Sequence, residues 1–255
     1  MGVLLVLFVV SMVFASGVVD PSIFKIDTMS WMQPNSPGPN EISVIPAAII
    51  KDYYNDLGYA IGDKFLVHIN VTDVTDLFTW QLNLTWNPAV LNFTKKVTYG
   101  DFLFRTDSPD KTSRIVPIAG GDNVTGYGWV AETVLGDYDG VTGSGRLVSL
   151  EFQVVGYGAT DLAISTVGDL PTTLLNSAGT PIAFTSFDGY FRNALSGDAT
   201  LDGIVDVFDV LKVKYHRSGP PPGPGGYLRE ADVNEDGSID VFDILSVKAN
   251  LGRSV

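Results

Sequence analysis

The sequence contains no cysteine among its 255 residues, so disulfide bonds and thiolate metal sites are excluded. Only 18% of the residues are charged, and the formal net charge is -13. A chain this acidic does not favour nucleic acid, because phosphate groups are bound by Lys and Arg. We therefore expect no nucleic-acid partner.

Long apolar runs are also missing, apart from the stretch from Val3 to Ala15. That run is too short to span a bilayer and is followed by small residues, which is typical of a secretory signal. No Lys or Arg precedes it, so a buried strand or helix is the alternative interpretation. We predict a signal-like segment over residues 1–17, a secreted or cell-surface protein, and no stable membrane span.

Histidine is scarce as well, since only His68 and His216 occur. Neither lies in a motif with a Ser, Cys or carboxylate, and the sequence contains no phosphate-binding loop, H-E-x-x-H or G-x-S-x-G. Paired carboxylates of the glycosidase type are not excluded by this pattern. We predict that the chain is not an enzyme.

Residues 18–40 are rich in proline and small polar residues and end near PNSPGPN, which predicts an extended arm or linker. Within this arm, SIFKID has the pattern of a short strand. Such a strand could complete the sheet of a neighbouring molecule.

Between Glu41 and Asn193 the hydrophobic pattern is that of β-strands. In LFTWQLNLTW apolar residues occupy every second position, and KFLVHINV and RLVSLEFQV show the same period. Gly, Pro, Asn and Asp separate these stretches, and no long segment has helical periodicity. Strands without interleaved helices predict an antiparallel β-sandwich of about eight or nine strands.

Four Asn-x-Thr sequons lie in this β region and are predicted glycosylation sites of an exported protein, at Asn70, Asn83, Asn92 and Asn123. Three Trp residues of the region, Trp80, Trp86 and Trp129, have two interpretations. They pack the core of the sandwich, or they form an aromatic platform for sugar rings.

From Gly197 to Val255 one acidic phrase occurs twice, as DATLDGIVDVFDVL and as DVNEDGSIDVFDIL. A calcium loop of the EF-hand type supplies oxygen ligands from positions 1, 3, 5, 7, 9 and 12, with glycine at position 6. Both segments fit this spacing, with the ligand at position 7 supplied by a backbone carbonyl. The predicted calcium ligands are Asp198, Thr200, Asp202, Ile204, Asp206 and Asp209 in loop 1, and Asp232, Asn234, Asp236, Ser238, Asp240 and Asp243 in loop 2.

Each loop places four carboxylates on predicted ligand positions. Without a cation these charges repel one another at close range, and with calcium the repulsion becomes coordination. We therefore expect two calcium ions and a C-terminal module that is ordered by them. Two solvated acidic turns are the alternative interpretation.

The duplicated pattern D-x-[TN]-x-D-G-x-[IV]-D-x-x-D, with a helical run after each loop, resembles the dockerin domain, the calcium-dependent half of cohesin–dockerin pairs. The resemblance implies a nearly two-fold symmetric module that binds a cohesin. It implies that the partner-facing residues are Val207, Phe208 and Lys214 in one copy and Val241, Phe242 and Lys248 in the other. The identical VFD of the two copies would permit binding in two orientations. Packing of Phe208 and Phe242 in the module's own core is the alternative.

The preceding β region resembles a cohesin, because LFTWQLNLTWNPAVLNF places a W-N-P turn after a strand and GSGRLVSLEFQVV is a glycine-led strand. This resemblance implies an antiparallel nine-stranded jelly roll over residues 41–193, followed by the dockerin-like domain over 197–255. Carbohydrate-binding modules share the sandwich architecture and are the alternative family.

The two resemblances together predict a non-catalytic assembly protein with a cohesin-like domain of another chain as its partner. If that chain is a second copy, the contact produces a head-to-tail polymer or filament; otherwise the protein is a monovalent scaffold adaptor. A carbohydrate-binding module attached to a surface complex, with polysaccharide as a partner, is the alternative function. The acidic turn GDYDG, Gly136 to Gly140, is a candidate for a further calcium site.

Overall fold

A computed structural model of the chain describes residues 40–52, 60–105, 114–115, 119–136, 138–218 and 223–255. The signal-like segment and almost all of the arm, including SIFKID, lie outside the described residues. Within the described ranges no helix is both long enough and apolar enough to cross a membrane.

The described residues between Glu41 and Ala194 form mainly strands, as the period-two pattern predicts. The described strands are β1 (Glu41–Ile45), β2 (Ala48–Asp52), β3 (Lys64–Thr85), β4 (Leu91–Tyr99), β5 (Arg114–Ile115), β6 (Gly120–Asp122), β7 (Tyr127–Val134), β8 (Val141–Val154), β9 (Gly158–Ile164), β10 (Thr173–Asn176), β11 (Thr185–Phe187) and β12 (Gly189–Ala194). The helices within the described residues are α1 (Val207–His216) and α2 (Val241–Ala249), with 3-10 helices at Phe102–Arg105 and Arg229–Ala231.

The long strand β3 contributes to both layers of a β-sandwich. Its first half pairs with β1 and β8, and its second half pairs with β7 and β10. Between the halves, Asp73 and Asp76 have positive φ angles of 49° and 58°, and the register with β8 shifts there. Bulges of this kind bend a strand, which lets one strand serve two layers. The end of β3 also pairs with β9, which pairs with β12.

Aromatic contacts show that the two layers pack face to face. The rings of Phe65 in β3 and Phe191 in β12 stack with their centroids 5.0 Å apart, and Trp86 meets Phe152 of β8 edge-on at 5.1 Å. The apolar positions of the alternating stretches, such as Val67 and Ile69, are buried in this core. The prediction of a mainly β sandwich followed by a small helical domain is confirmed.

The strand pairing differs in detail from an all-antiparallel, nine-stranded sandwich. β1 pairs with β11 and β2 pairs with β12 in parallel. Pro46, which has no N–H to donate, separates β1 from β2, and Asp188 separates β11 from β12. The chain therefore crosses from one layer to the other twice in neighbouring positions, from β1 to β2 and from β11 to β12. Short strands such as β5 and β6 bring the number of described strands to twelve.

A second, smaller core lies in the C-terminal module between α1 and α2. Its buried members are Leu195, Ala199, Val205, Val210, Val213, Ala231, Ile239 and Val247. The two halves exchange backbone contacts, because Val205 N donates to Arg253 O at 2.9 Å and Ser218 N donates to Ile239 O at 2.7 Å. Within the module, each loop is thus held by the segment that follows the helix of the other sequence repeat.

Candidate functional site

The two acidic loops have the same backbone shape. Leu201 and Glu235, at position 4, have φ angles of 62° and 60°, and Gly203 and Gly237, at position 6, have φ angles of 84° and 88°. Glycine adopts this region without the steric cost that a Cβ atom imposes. The equal spacing seen in the sequence is therefore matched by equal geometry.

Loop 1 is closed by the acids at its first and last positions, which are both buried. Asp198 accepts hydrogen bonds from the N–H groups of Leu201 at 2.7 Å and Gly203 at 2.9 Å. Asp209 accepts from the N–H groups of Thr200 at 2.8 Å and Asp206 at 2.7 Å. These two carboxylates therefore hold opposite ends of the loop together.

Loop 2 repeats the main features of this arrangement. Asp232 accepts from the N–H groups of Asp236 at 3.1 Å and Gly237 at 2.9 Å. Asp243 accepts from the N–H groups of Asn234 at 3.0 Å and Asp240 at 2.7 Å. The repeat in sequence is thus a repeat in hydrogen bonding.

The acid at position 9 of each loop also begins a helix. The side chain of Asp206 accepts from Phe208 N and that of Asp240 accepts from Phe242 N, both at 2.7 Å. The side chains of Asp209 and Asp243 accept in turn from the backbone N–H groups of Asp206 and Asp240, which completes a capping box at each N-terminus. The last acids of each loop therefore also hold the first turn of the helix that follows it.

Electrostatics in both loops favour a cation. Burial raises the pKa of the Asp198 carboxyl, and the nearby charge of Asp209 adds to this effect. Burial likewise raises the pKa of Asp232 and of Asp243, with further contributions from neighbouring carboxylates. Raised pKa values mean that the negative charges are poorly compensated, which a bound cation would relieve.

A tyrosine contact is one of the differences between the two loops. The hydroxyl of Tyr227 donates to Asp232 Oδ2 at 3.1 Å in loop 2. Burial and then the charge of Asp232 raise the pKa of Tyr227 to about 12. The position of the first copy that corresponds to Tyr227 is Asn193, which lies in β12.

The loops fit calcium by their donor atoms, backbone shape and buried carboxylates. They do not form a finished metal centre, because nowhere in the described parts of the chain do three or more acidic or histidine side chains converge as metal ligands. Several of the carboxylates instead accept backbone N–H bonds within their own loop, as Asp202 does from Ile204 N at 2.9 Å. Calcium binding through the predicted ligands stays a proposal.

The predicted partner-facing residues lie on the surface of the module. Phe208 is 61% exposed and Phe242 is 60% exposed, so neither packs in the module's own core. Lys214 and Lys248 are exposed as well. We define stripe 1 as Val207, Phe208 and Leu211 on α1, and stripe 2 as Val241, Phe242 and Leu245 on α2; all six side chains are exposed.

Each helix thus has two apolar sides. Val210 and Val213 of α1 face the small core, as do Ile244 and Val247 of α2. The helical spacing of Val207 and Leu211 predicts an apolar side correctly, but that side points to solvent. The stripe residues are not part of the small core, so their exposed side chains are free to contact another protein.

The Trp residues of the sandwich do not form a row on its surface. Trp80 and Trp86 are buried in the core, and the indole N–H of Trp80 donates to Glu132 Oε2 at 3.2 Å. Trp129 is half-buried on β7. Trp80 and Trp86 therefore pack the core of the sandwich, and these two rings are not available as a platform for sugars.

The four sequon asparagines are partly buried, and two of them have bonded amides. The Asn123 amide accepts from Phe93 N at 2.8 Å and donates to Phe93 O at 3.0 Å. Asn83 Nδ2 donates to Leu170 O at 2.9 Å. Asn70 lies on β3 and Asn92 on β4. Glycosylation of the four positions remains a prediction, while Asn123 has a structural role.

We expect Asn123→Ala to lower the free energy of unfolding by about 1–3 kcal/mol, because both Phe93 backbone groups lose their partner. The matched control Asn92→Ala is expected to change it by less than about 0.5 kcal/mol. Urea unfolding followed by Trp fluorescence measures both. Equal effects of the two substitutions would show that the Asn123 amide pair does not stabilise the sandwich.

The fold brings Ser149 to His68, a pair that sequence reasoning missed because the partners lie on different strands. The His68 Nδ1 to Ser149 Oγ distance is 2.7 Å. Burial, and then the charge of Arg146, lower the pKa of His68. Ser149 is only 2% exposed, so its hydroxyl is not placed to attack a substrate. His216 Nδ1 lies 2.9 Å from Gly226 O, which is a contact within the module.

The candidate calcium turn of the sandwich is only partly described, because Asp137 lies outside the described residues. Gly140 N donates to Asp76 Oδ1 at 2.7 Å, and Asp76 Oδ2 accepts from the Ser177 hydroxyl at 2.8 Å. These bonds fix the bend of β3 against its neighbours, which is a structural role.

Comparison with known families agrees with the C-terminal geometry. Residues 196–252 match the model of the dockerin type I domain. The resemblance drawn from the repeated loops is therefore confirmed for this part of the chain, and we call it the dockerin module below. No curated protein matches the chain significantly.

Solved cohesin structures align with about three fifths of the chain. A type II cohesin dyad from the adaptor ScaA scaffoldin of Acetivibrio cellulolyticus aligns at 15% identity and a TM-score of 0.46, covering 61% of this chain and 48% of that one. A type II cohesin domain from the cellulosome of the same organism aligns at 16% identity and a TM-score of 0.46, covering 62% and 96%. A non-cellulosomal cohesin from Archaeoglobus fulgidus aligns at 15% identity and a TM-score of 0.43, covering 61% and 91%. The chain thus spans about half the length of the dyad and nearly all of the two single modules.

Proposed function

We propose that this chain is a secreted, non-catalytic assembly protein whose dockerin module binds a cohesin-like sandwich when calcium is present. The observation that carries the proposal is the pair of equivalent stripes. Six apolar side chains stand exposed on two helices although the module has a separate core of its own. Exposed apolar residues clustered in this way mark interaction sites in soluble proteins.

Calcium belongs to the proposal as the ion that compensates the loop charges. It would be held by the side chains of Asp198, Thr200, Asp202, Asp206 and Asp209 with the carbonyl of Ile204, and by Asp232, Asn234, Asp236, Asp240 and Asp243 with the carbonyl of Ser238. When bound, the ion supplies positive charge between the carboxylates. Since Asp206 and Asp240 also cap α1 and α2, an ordered loop fixes the helix that presents each stripe.

The partner that we favour is the sandwich of a second copy of this chain. A protein that carries both halves of a heterologous contact forms rings or open filaments. Binding within one chain is disfavoured, because β12 runs into the module through Ala194 and Leu195, which are both buried. If the dockerin module does not bind the sandwich of this chain, the same geometry serves a monovalent adaptor between two other proteins.

Sedimentation velocity of the full chain tests the proposal. In calcium we expect species that grow with protein concentration, and in excess chelator we expect the 27.4 kDa monomer. A chain that stays monomeric in calcium but binds a separate cohesin would support the adaptor version. A monomer that binds no cohesin with calcium present would contradict the proposal.

Carbohydrate binding is the rival function, and the buried Trp80 and Trp86 give it no support. A pull-down with insoluble polysaccharide separates the two functions. Retention of the full chain on the polysaccharide that persists in chelator would favour the carbohydrate-binding alternative, because this function does not need the dockerin module.

A further inference from the structure

The sandwich and the dockerin module are in direct contact, and the functions proposed above for the loops and the stripes do not require this contact. We call it the junction and define it as Tyr190 and Arg192 of β12, Asp161 of β9, and Arg229 and Glu230 of the 3-10 helix. On one side lie the last strands of the sandwich. On the other side lie the start of loop 1 and the segment that leads into loop 2.

Arg192 bonds the sandwich to loop 1. Its side chain is only 5% exposed, and Nη2 donates to the backbone oxygen of Asp198 at 3.0 Å. Asp198 is position 1 of loop 1, so this bond joins the sheet to the residue that anchors the loop. A hydrogen bond from a charged group is stronger than one between neutral groups, and more so when it is buried.

Arg229 forms a second contact at the junction. Its guanidinium carbon lies 3.9 Å from the centre of the Tyr190 ring, and Tyr190 is buried. This is the distance of a cation–π interaction. The charges of Arg229 and Glu230 both reach Asp161 on the neighbouring strand, whose pKa is raised mainly by burial. The 3-10 helix therefore lies against the end of the sheet.

The connection between the two domains is short and buried. Asn193 and Ala194 belong to β12, which is buried along its whole length, and Leu195 is part of the small core of the module. The sequence predicts only a short connection here. In the structure this connection belongs to the packed interior of both domains.

We propose that the junction makes the two domains one cooperative unit, so that a cation bound in loop 1 stabilises the sandwich through Arg192. The inference rests on the calcium binding proposed above and adds a route by which that binding reaches a separate core. It also gives each copy a fixed angle between its sandwich and its stripes. Head-to-tail contacts between such units have a constant rotation from one copy to the next.

The positions of the Trp residues make this testable in the full chain. All four Trp residues, at 31, 80, 86 and 129, precede the dockerin module, and Trp80 and Trp86 are buried in the sandwich core, so Trp fluorescence follows unfolding of the sandwich and not of the module. We expect calcium to raise the midpoint of the Trp-monitored thermal transition by roughly 4 °C or more relative to chelator. Calorimetric titration of the same sample with calcium reports binding independently.

Four substitutions locate the coupling. Arg192→Leu is expected to remove at least about half of the calcium-induced shift while calcium still binds, and Arg229→Leu, which acts on the separate contact beside loop 2, is expected to remove less of it. Asp202→Ala in loop 1 is expected to remove more of the shift than its matched control in loop 2, Asp236→Ala. Equal losses for the two loop variants would overturn the assignment to loop 1.

The titration separates the two possible failures. If calcium binds but the Trp-monitored midpoint does not move in the unsubstituted chain, the junction inference is wrong and the calcium proposal stands. If no calcium binds, both are wrong.

Discussion

A chain carrying both Phe208→Asp and Phe242→Asp is expected to lose calcium-dependent binding to its cohesin-type partner by a factor of at least about 30. Aromatic side chains at the centre of an interface commonly contribute 2 kcal/mol or more each, and each 1.4 kcal/mol corresponds to a tenfold change in affinity. Both rings are about three-fifths exposed and neither supports the small core, so the module is expected to stay folded.

The single substitution Phe208→Asp tests whether the two stripes can replace each other. Stripe 1 and stripe 2 are equivalent, and each begins at a helix N-terminus with the same capping box. Loss of one stripe leaves the other orientation available, so Phe208→Asp alone is expected to weaken binding only about twofold.

Leu251→Asp is the control, because Leu251 is a half-exposed apolar residue of the module outside both stripes. Surface plasmon resonance against an immobilised cohesin or a second copy of the chain measures all four proteins. Full binding by the double variant would show that the stripes are not the interface.

Calcium removal has the second large expected effect. Asp198, Asp232 and Asp243 are buried carboxyl groups with raised pKa values, and their neighbours in the loops are also acidic. Without a cation this repulsion opposes folding of the module, whose small core offers little to offset it. We expect excess chelator to remove the helical far-UV signal of α1 and α2 and to abolish binding through the stripes.

The sandwich should keep its strand signal in chelator, although at a lower midpoint if the junction couples the domains. Far-UV circular dichroism in calcium, in chelator and after calcium is restored measures the effect and its reversibility. A helical signal that is unchanged in chelator would show that the loops do not need a cation to fold.

The predictions made from the sequence are accurate where physical constraints act over short distances. The alternation in KFLVHINV places Val67 and Ile69 in the core, and the twelve-residue spacing places Asp198 and Asp209 at the two ends of a closed loop. Both patterns are local, because side-chain direction in a strand and turn geometry in a loop depend on a few neighbouring residues.

The sequence is less informative where two arrangements share one pattern. An apolar stripe on a helix predicts a buried side, but α1 has two such sides, and hydropathy does not say whether Leu211 or Val213 faces the core. The exposure of Phe208 follows from the packing of the whole module.

Contacts between distant segments were not predictable from the residues alone. Arg192 and Arg229 are ordinary charged residues in the sequence, and they gain a role only when the fold brings them to Asp198 and Tyr190. The bend of β3 at Asp73, which lets one strand serve both layers, is also decided by its neighbours.

The central claim is that the twin loops bind calcium and thereby order the surface that grips a sandwich. Isothermal titration of the full chain with calcium tests it most directly, with a chain carrying Asp198→Ala and Asp232→Ala as the control. We predict saturable uptake of two ions per chain and a loss of that uptake in the control. No saturable uptake at millimolar calcium, or equal uptake by the control, would contradict the account.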